Sequence, residues 1–304
     1  MPSFCYHLFG LTLASEIELP DLIAADPAAA TDVSIGLDAQ STVDDVADDP
    51  TPIAGGFAIG IAGVARYSIR GGTEINVAPD PRAASANVRL FLLGSAMGML
   101  LHQRGLLPLH ANAVVIDDRA YAFLGRSGAG KSTLAAWFHD RGFAVLSDDV
   151  CAIRFDGQGG ALISAGLPRL RLWRDALIDS GRDPDDHPAS FSGDPEYDKF
   201  DVRLAHRGAA ALPLAGIVAL RWSEIDSLEK LSGLAAVEAL IANTYRGAYV
   251  SLLGQQRDHL QACVRLSRYV PVLAFDRTKG SDQLTGQINR VLNWARARDG
   301  ETDR

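Results

Sequence analysis

The sequence predicts an α/β protein in which a small β-rich unit precedes a P-loop domain. Three observations lead there. A complete Gly-x-x-x-x-Gly-Lys-Ser loop, Gly125 to Ser132, lies between a strand-like and a helix-like segment. Two adjacent acids, Asp148 and Asp149, close the next strand-like run. The charge balance also changes near residue 82. Residues 1–82 carry 12 acidic and three basic side chains, and the rest of the chain carries 25 acidic and 26 basic.

The 304 residues are 47% hydrophobic and 22% charged, an ordinary globular composition that can bury a core without a disulfide or metal staple. The formal net charge is −8. An acidic front segment repels a phosphate backbone, so nucleic acid is not an expected partner, while a basic peptide is compatible with it. Cys5, Cys151 and Cys263 are odd in number and form no Cys-x-x-Cys pair, which suits a reducing compartment. Residues 1–22 show no basic start followed by an apolar run. The longest apolar stretch, Leu90 to Leu101, is interrupted by Gly94, Ser95 and Gly98 and is too short to span a bilayer. The expectation is a soluble, cytoplasmic protein with no membrane partner. A homo-oligomer stays open.

Along the chain, residues 4–19 alternate loosely and predict a strand pair. Val33–Leu37 alternates briefly within an Ala/Asp/Pro-rich stretch. An apolar, Gly-rich run over 53–64, alternation over 66–70, a Gly71-Gly72 turn and Glu74–Val77 predict more strands. This gives a β-rich domain over 1–82. The next domain runs over 83–295, and 296–304 reads as a polar, frayed tail. In the second domain, Asn87–Gln103 has helical spacing of Leu90, Leu93, Met97, Leu100 and Leu101. Ala111–Ile116 and Tyr121–Leu124 form a hairpin around Asp117-Asp118. A helix follows the glycine loop to about Arg141, with Gly142 in the C′ role. Phe143–Leu146 is a short buried strand, and Val150–Phe155 with Ala161–Ser164 is another hairpin. A polar loop spans 180–199, and a segment of that length is usually functional or disordered. Strands at 215–221 and 270–275, and helices at 234–241, 253–266 and 282–295, complete the reading.

The glycine loop predicts a phosphate cradle. Its glycines let successive N–H groups turn inward, and the helix N-terminus adds partial positive charge. Gly125, Arg126, Ser127, Gly128, Ala129, Gly130, Lys131 and Ser132, with Thr133 after them, are the candidate nucleotide-binding set. Lys131 reaches the β- and γ-phosphates, and Ser132 Oγ holds Mg²⁺. The chain has only four lysines against 25 arginines, so a lysine at this position points to a need for a compact charge.

Asp148 and Asp149 follow Ser132 by 16 and 17 residues. A loop–helix–strand unit that returns beside the P-loop strand in a parallel sheet brings them to the Mg²⁺ and γ-phosphate. One can join the metal shell, and the other can accept a proton from an attacking hydroxyl. Mutual repulsion raises one of the two pKa values, which helps a base. The short interval leaves no room for an ABC signature, and no Asn-Lys-x-Asp marks a guanine-specific GTPase. His110, just before the hairpin strand, is a further candidate. Lys199 and Arg203 are candidates for binding the transferring phosphoryl group or a substrate carboxylate. Arg169 and Arg171 share a strand face that either contacts phosphate or is solvated. Trp173 reads as a core residue.

His110, the hairpin, Gly-Arg-Ser-Gly-Ala-Gly-Lys-Ser, the helix ending in Arg141-Gly142 and the Ser-Asp-Asp strand end together resemble the catalytic domain of HPr kinase/phosphorylase. That fold is similar to phosphoenolpyruvate carboxykinase. The resemblance is specific over residues 105–156 and looser to about 280. It implies an ATP- and Mg²⁺-dependent kinase acting on a serine of a peptide or small protein. It places the active-site histidine at His110, the P-loop lysine at Lys131, a metal-binding serine at Ser132 and the family's Asp pair at Asp148 and Asp149, of which Asp149 is favoured as proton acceptor and Asp148 as metal ligand, the reverse staying open. Two departures stand out. Thr133 replaces the family's Glu, and no Glu-x-Arg-Gly occurs around 164–168, so phosphorolysis is not implied. The stretches 6–22 and 199–220 look like HPr-kinase-like proteins of peptide-modification clusters, some of which phosphorylate lasso-peptide precursors. A non-catalytic nucleotide-binding module and a small-molecule kinase remain as alternatives.

Overall fold

The computed structural model describes residues 3–41, 50–158, 160–193, 196–205, 208, 210–280 and 283–302. The acidic pairs at 44–45 and 48–49 lie outside them. Two eight-stranded sheets organise the described residues.

The front sheet holds β1 (Phe4–Leu8), β2 (Leu11–Ser15), β3 (Ile23–Ala24), β4 (Val33–Leu37), β5 (Thr51–Ile53), β6 (Gly56–Ile61), β7 (Ala65–Arg70) and β8 (Glu74–Pro79). Its order is β3-β1-β2-β4-β8-β7-β6-β5. The hairpins are antiparallel, and β4 runs parallel to both β2 and β8. Alternation drives these strands. Tyr67, Ile69, Ile75 and Val77 are fully buried and face one core.

The expected helix over 87–103 forms in three pieces: α1 (Ser85–Phe91), a π-type turn (Leu92–Ala96) and α2 (Met97–Gln103). The widening falls around Gly94, where no side chain fills the turn. Gly98 lets the Tyr245 ring approach, since a Cβ there would meet it at 2.8 Å. Leu92, Leu93, Met97 and Leu100 pack into the front core together with Val150, Ala152 and Tyr245.

The second sheet contains β9 (Leu107–Ile116), β10 (Arg119–Leu124), β11 (Val145–Ser147), β12 (Val150–Phe155), β13 (Ala161–Ile163), β16 (Leu212–Trp222), β17 (Ser227–Leu231) and β18 (Val272–Arg277). Strands β14 (Arg169–Trp173) and β15 (Lys199–Arg203) form a separate ribbon. The helices are α3 (Lys131–Asp140), α4 (Arg174–Asp179), α5 (Gly233–Ala242), α6 (Ala248–Leu252), α7 (Gln256–Tyr269) and α8 (Leu284–Thr302). One face of the sheet carries α3 and α8, and the other carries α5 and α7. Pairings β10–β9, β9–β12, β12–β13, β13–β16 and β16–β10 close a ring.

Several expectations are corrected. The sheet is mixed rather than parallel: β10 is antiparallel to β9 and parallel to β16. The aspartate strand does not return beside the P-loop strand β10, because β11 pairs with β9 instead. Both β10 and β11 run antiparallel to β9, so they still point the same way, and their C-terminal ends reach one edge. The helix expected over 253–266 forms as α7, which starts at Gln256 after Gly254 (φ +68) separates it from α6 and runs on to Tyr269. The last helix continues through Thr302 instead of fraying at 296. The segment 180–199 contains a 3₁₀ turn at Pro184–Asp186 and is tied to α1 by two hydrogen bonds between Asn87 and the Ser192 backbone. No helix among the described residues is long and apolar enough to cross a membrane.

Candidate active site

The loop after β10 begins with a sharp turn at Gly125, φ +155, where a Cβ would meet Ala129 Cβ at 2.9 Å and the Leu220 carbonyl at 3.1 Å. It ends at Gly130, φ +83, directly before α3. Two carbonyls of the loop are taken by side chains from the ends of β16 and β18, and a third begins the α3 ladder. Trp222 Nε1 donates to Gly128 O (2.9 Å), Arg277 Nη2 to Ala129 O, and the Leu134 N–H to Gly130 O (3.0 Å). The Gly125 and Arg126 carbonyls instead face Lys131, and the Ala129 N–H bonds to Arg126 O (3.0 Å), so the remaining loop amides and the α3 N-terminus are what the loop offers an anion. Lys131 is buried. Its Nζ donates to Gly125 O (2.6 Å) and Arg126 O (3.3 Å), and burial lowers its pKa against the pull of Asp149 and Asp148.

Asp148 and Asp149 interrupt what is otherwise one strand. Ser147 pairs with Ala113 and Val150 with His110 in a single register, so β11 and β12 flank a local kink opposite β9. The Val150 N–H donates to the Asp148 carbonyl (2.9 Å), closing a three-residue turn around Asp149, whose φ is +71. In a regular strand, neighbouring side chains point to opposite faces. The left-handed residue breaks that alternation, and both carboxylates line one cavity with Ser127, Gly128, Gly130, Lys131, Ser132 and Thr133. Backbone strain of this kind collects at functional sites.

The two acids differ. Asp148 is buried, and its Oδ2 accepts the Arg171 N–H (2.6 Å). Burial, and then the neighbouring Asp149, raise its pKa to about 6. Asp149 is one-third exposed and meets His110 Nδ1 at 3.2 Å and Arg171 Nη1 at 3.8 Å. Burial raises its pKa, but the hydrogen bond and charge of His110, with Arg171 and Lys199, outweigh that and hold it well below the usual carboxylate range. The same His110 nitrogen lies 3.0 Å from the Asp149 carbonyl, an acceptor only, so Nδ1 carries the proton. The expected split between the acids is present, but the raised carboxyl is Asp148 and not the presumed acceptor, Asp149.

His110, placed before a strand by its sequence, lies inside β9. Lys199 reaches the cavity from β15, its Nζ 4.6 Å above the Trp173 ring. Arg203 does not reach it. Its side chain is exposed and pairs with Asp21 at 3.6 Å; it shares the face of Lys199 but sits at the far end of β15, across from Arg169 rather than Trp173. Arg169 and Arg171 are not a solvated face. Both are nearly buried on Asp201, with Arg169 Nη1 at 2.8 Å and Arg171 Nε at 3.3 Å. Trp173, read as core, is instead partly exposed on the cavity wall.

Sequence reasoning passed over Asn112, Trp222 and Arg277. Asn112 had one signal: a carboxamide between two alanines in an otherwise apolar strand. The other two come from strand ends distant in sequence and had none.

Among the described residues, no group of three or more His, Cys, Asp or Glu side chains is assembled to hold a metal ion. Magnesium needs no such cage, since it uses one or two carboxylates with phosphate oxygens and water. Ser132 and Asp148, on the wall of one cavity, match that donor set.

No family model and no curated protein matches the chain. Among solved structures, it is similar to the HPr(Ser) kinase/phosphatase from Coxiella burnetii at 13% sequence identity, over 65% of this chain and 99% of that one, with a TM-score of 0.34. A likeness at that level carries no argument by itself.

Proposed function

We propose that the protein is an ATP- and Mg²⁺-dependent kinase that phosphorylates a serine hydroxyl of a peptide or small protein, as the resemblance to HPr-kinase-like enzymes implies. One observation carries the reading. A glycine loop that opens directly into α3 shares a cavity with a paired carboxylate, one member of which is held ionised by His110.

In this reading the loop amides and Lys131 bind the β- and γ-phosphates and offset charge spreading over the γ-phosphoryl oxygens. Ser132 and Asp148 hold the magnesium ion, which supplies further charge neutralisation when bound. Asp149, oriented by His110, accepts the proton as the serine oxygen bonds to the γ-phosphorus. The bond from that phosphorus to the bridging oxygen breaks, and ADP leaves. Lys199 stands on the cavity wall to meet the transferring group. A lasso-peptide precursor is the finest substrate assignment the resemblance offers.

ATP consumption with and without serine-containing peptides tests this. Turnover that rises with a peptide and is lost in Asp149→Asn, with nucleotide still bound, supports it. Unchanged turnover in Asp149→Asn removes that residue as proton acceptor. Nucleotide binding without turnover, with any peptide or small hydroxyl compound, supports the regulatory-module reading. A P-loop alone does not fix the acceptor.

A further inference from the structure

Asn112 sits in the middle of β9, fully buried. Both its Oδ1 and its Nδ2 lack a hydrogen-bond partner in the structure. Buried polar groups are nearly always paired, because an orphaned amide loses its hydration and gains nothing in return. Nothing in the fold calls for an amide at this position. Its antiparallel neighbour on β10 is Phe123, and Val114 on the same face is also fully buried, so an apolar side chain would suit the packing.

Its location supplies the reason. Ser147 pairs with Ala113 and Val150 with His110, and that shared register sets Asn112 across from Asp148. Directly opposed residues project on the same face of a sheet. That face carries α3, whose first residues are Lys131 and Ser132. Asn112 accordingly lines the cavity shared by Ser132 and Asp148. An orphaned carboxamide on the same cavity wall as those two oxygen donors suits a hard-cation site.

We propose that Asn112 is a positioning residue for magnesium in the nucleotide complex, its Oδ1 accepting from a metal-bound water and its Nδ2 donating to the Asp148 carboxylate. The assignment rests on the nucleotide-binding reading above. It concerns which side chains sense the ion, not the acceptor of the phosphoryl group.

The test is calorimetric titration of ADP into the full-length protein, with Mg²⁺ and with EDTA. Wild type binds more tightly with Mg²⁺. In Asn112→Val that enhancement falls by about 10- to 100-fold, the range for loss of an outer-shell partner. Affinity in EDTA is unchanged, and the nucleotide-free Tm does not fall, because the variant removes an unpaired group. Asn112→Asp keeps an oxygen in place and retains the enhancement. If Asn112→Val keeps the wild-type enhancement, or loses affinity equally with and without Mg²⁺, the proposal is overturned and the amide serves only the fold. Loss of the enhancement in Asn112→Asp also counts against it, and this variant decides the matter if Asn112→Val does not fold. Mn²⁺ electron paramagnetic resonance on the ADP complex reads the same loss without activity. Wild type that binds no ADP in either condition overturns the nucleotide reading and the proposal with it.

Discussion

The two sheets have the same number of strands and follow the same folding rules, yet they bury different things. The front sheet turns Tyr67, Ile69, Ile75 and Val77 inward, and the Tyr67 hydroxyl finds its partner in the Val88 carbonyl at 2.8 Å. At one edge of the second sheet, burial falls on Lys131, Asp148 and Asn112. Charged and amide groups are costly to take out of water. The front sheet also buries Ser15 and Ser68, but only in the second do a buried lysine, aspartate and amide line one cavity, which is where binding and chemistry are expected. Stability is expected to reside in the first region and function in the second, and substitutions test that division.

The largest effect is expected at the loop lysine. Lys131→Ala lowers phosphoryl transfer by about 10³-fold or more, with the fold intact by circular dichroism. Residual turnover near wild type would break the division at once. In the front sheet, Ile69→Ala lowers unfolding free energy by about 2–5 kcal/mol, read from a denaturant midpoint, and leaves ADP affinity unchanged at temperatures where the protein is folded.

Asp148 gives the sharpest contrast, because there the two properties oppose one another. Its folded pKa, about 6, lies above the ordinary value of 3.8. A raised acid binds its proton better when folded. Its favourable contribution is therefore complete below about pH 4 and is lost as pH rises through 6. In EDTA, Asp148→Asn raises stability by about 1–3 kcal/mol at pH 7.5. The gain vanishes toward pH 4 while transfer is lost, and chemical denaturation across that range reads it. At the small end, Arg203→Ala changes stability by less than about 0.5 kcal/mol and leaves turnover unaltered, since its partner Asp21 lies in the other half of the molecule.

What was legible in the sequence was local. The spacing of Gly125, Gly130, Lys131 and Ser132 specifies a loop whose geometry depends on backbone freedom and a helix start, both short-range properties. The hairpin around Asp117-Asp118 has that character too, and both residues take positive φ in the structure. Strand order was not legible. Nothing in Val145–Ser147 says that it pairs with β9 and not β10, because partner choice depends on contacts between distant segments. The same limit hid the burial of Arg171, which Asp201 makes tolerable from 30 residues away, and the outward turn of Trp173. Asn112 reads as a polar residue in a strand until its orphaned atoms and its place across from Asp148 are seen together.

The hydrogen bonds of Lys131 to its own loop have one more consequence. An ammonium clasped by two main-chain oxygens keeps one N–H to spare, and a ligand that wants the other two competes with the loop for them. A single phosphate lodged in the amides gives little incentive to swing free. A tail with a second and third phosphate offers oxygens farther along the reach of the side chain. On the nucleotide reading, the clasp is expected to favour polyphosphates over monophosphates, through a competition that the closed loop already contains.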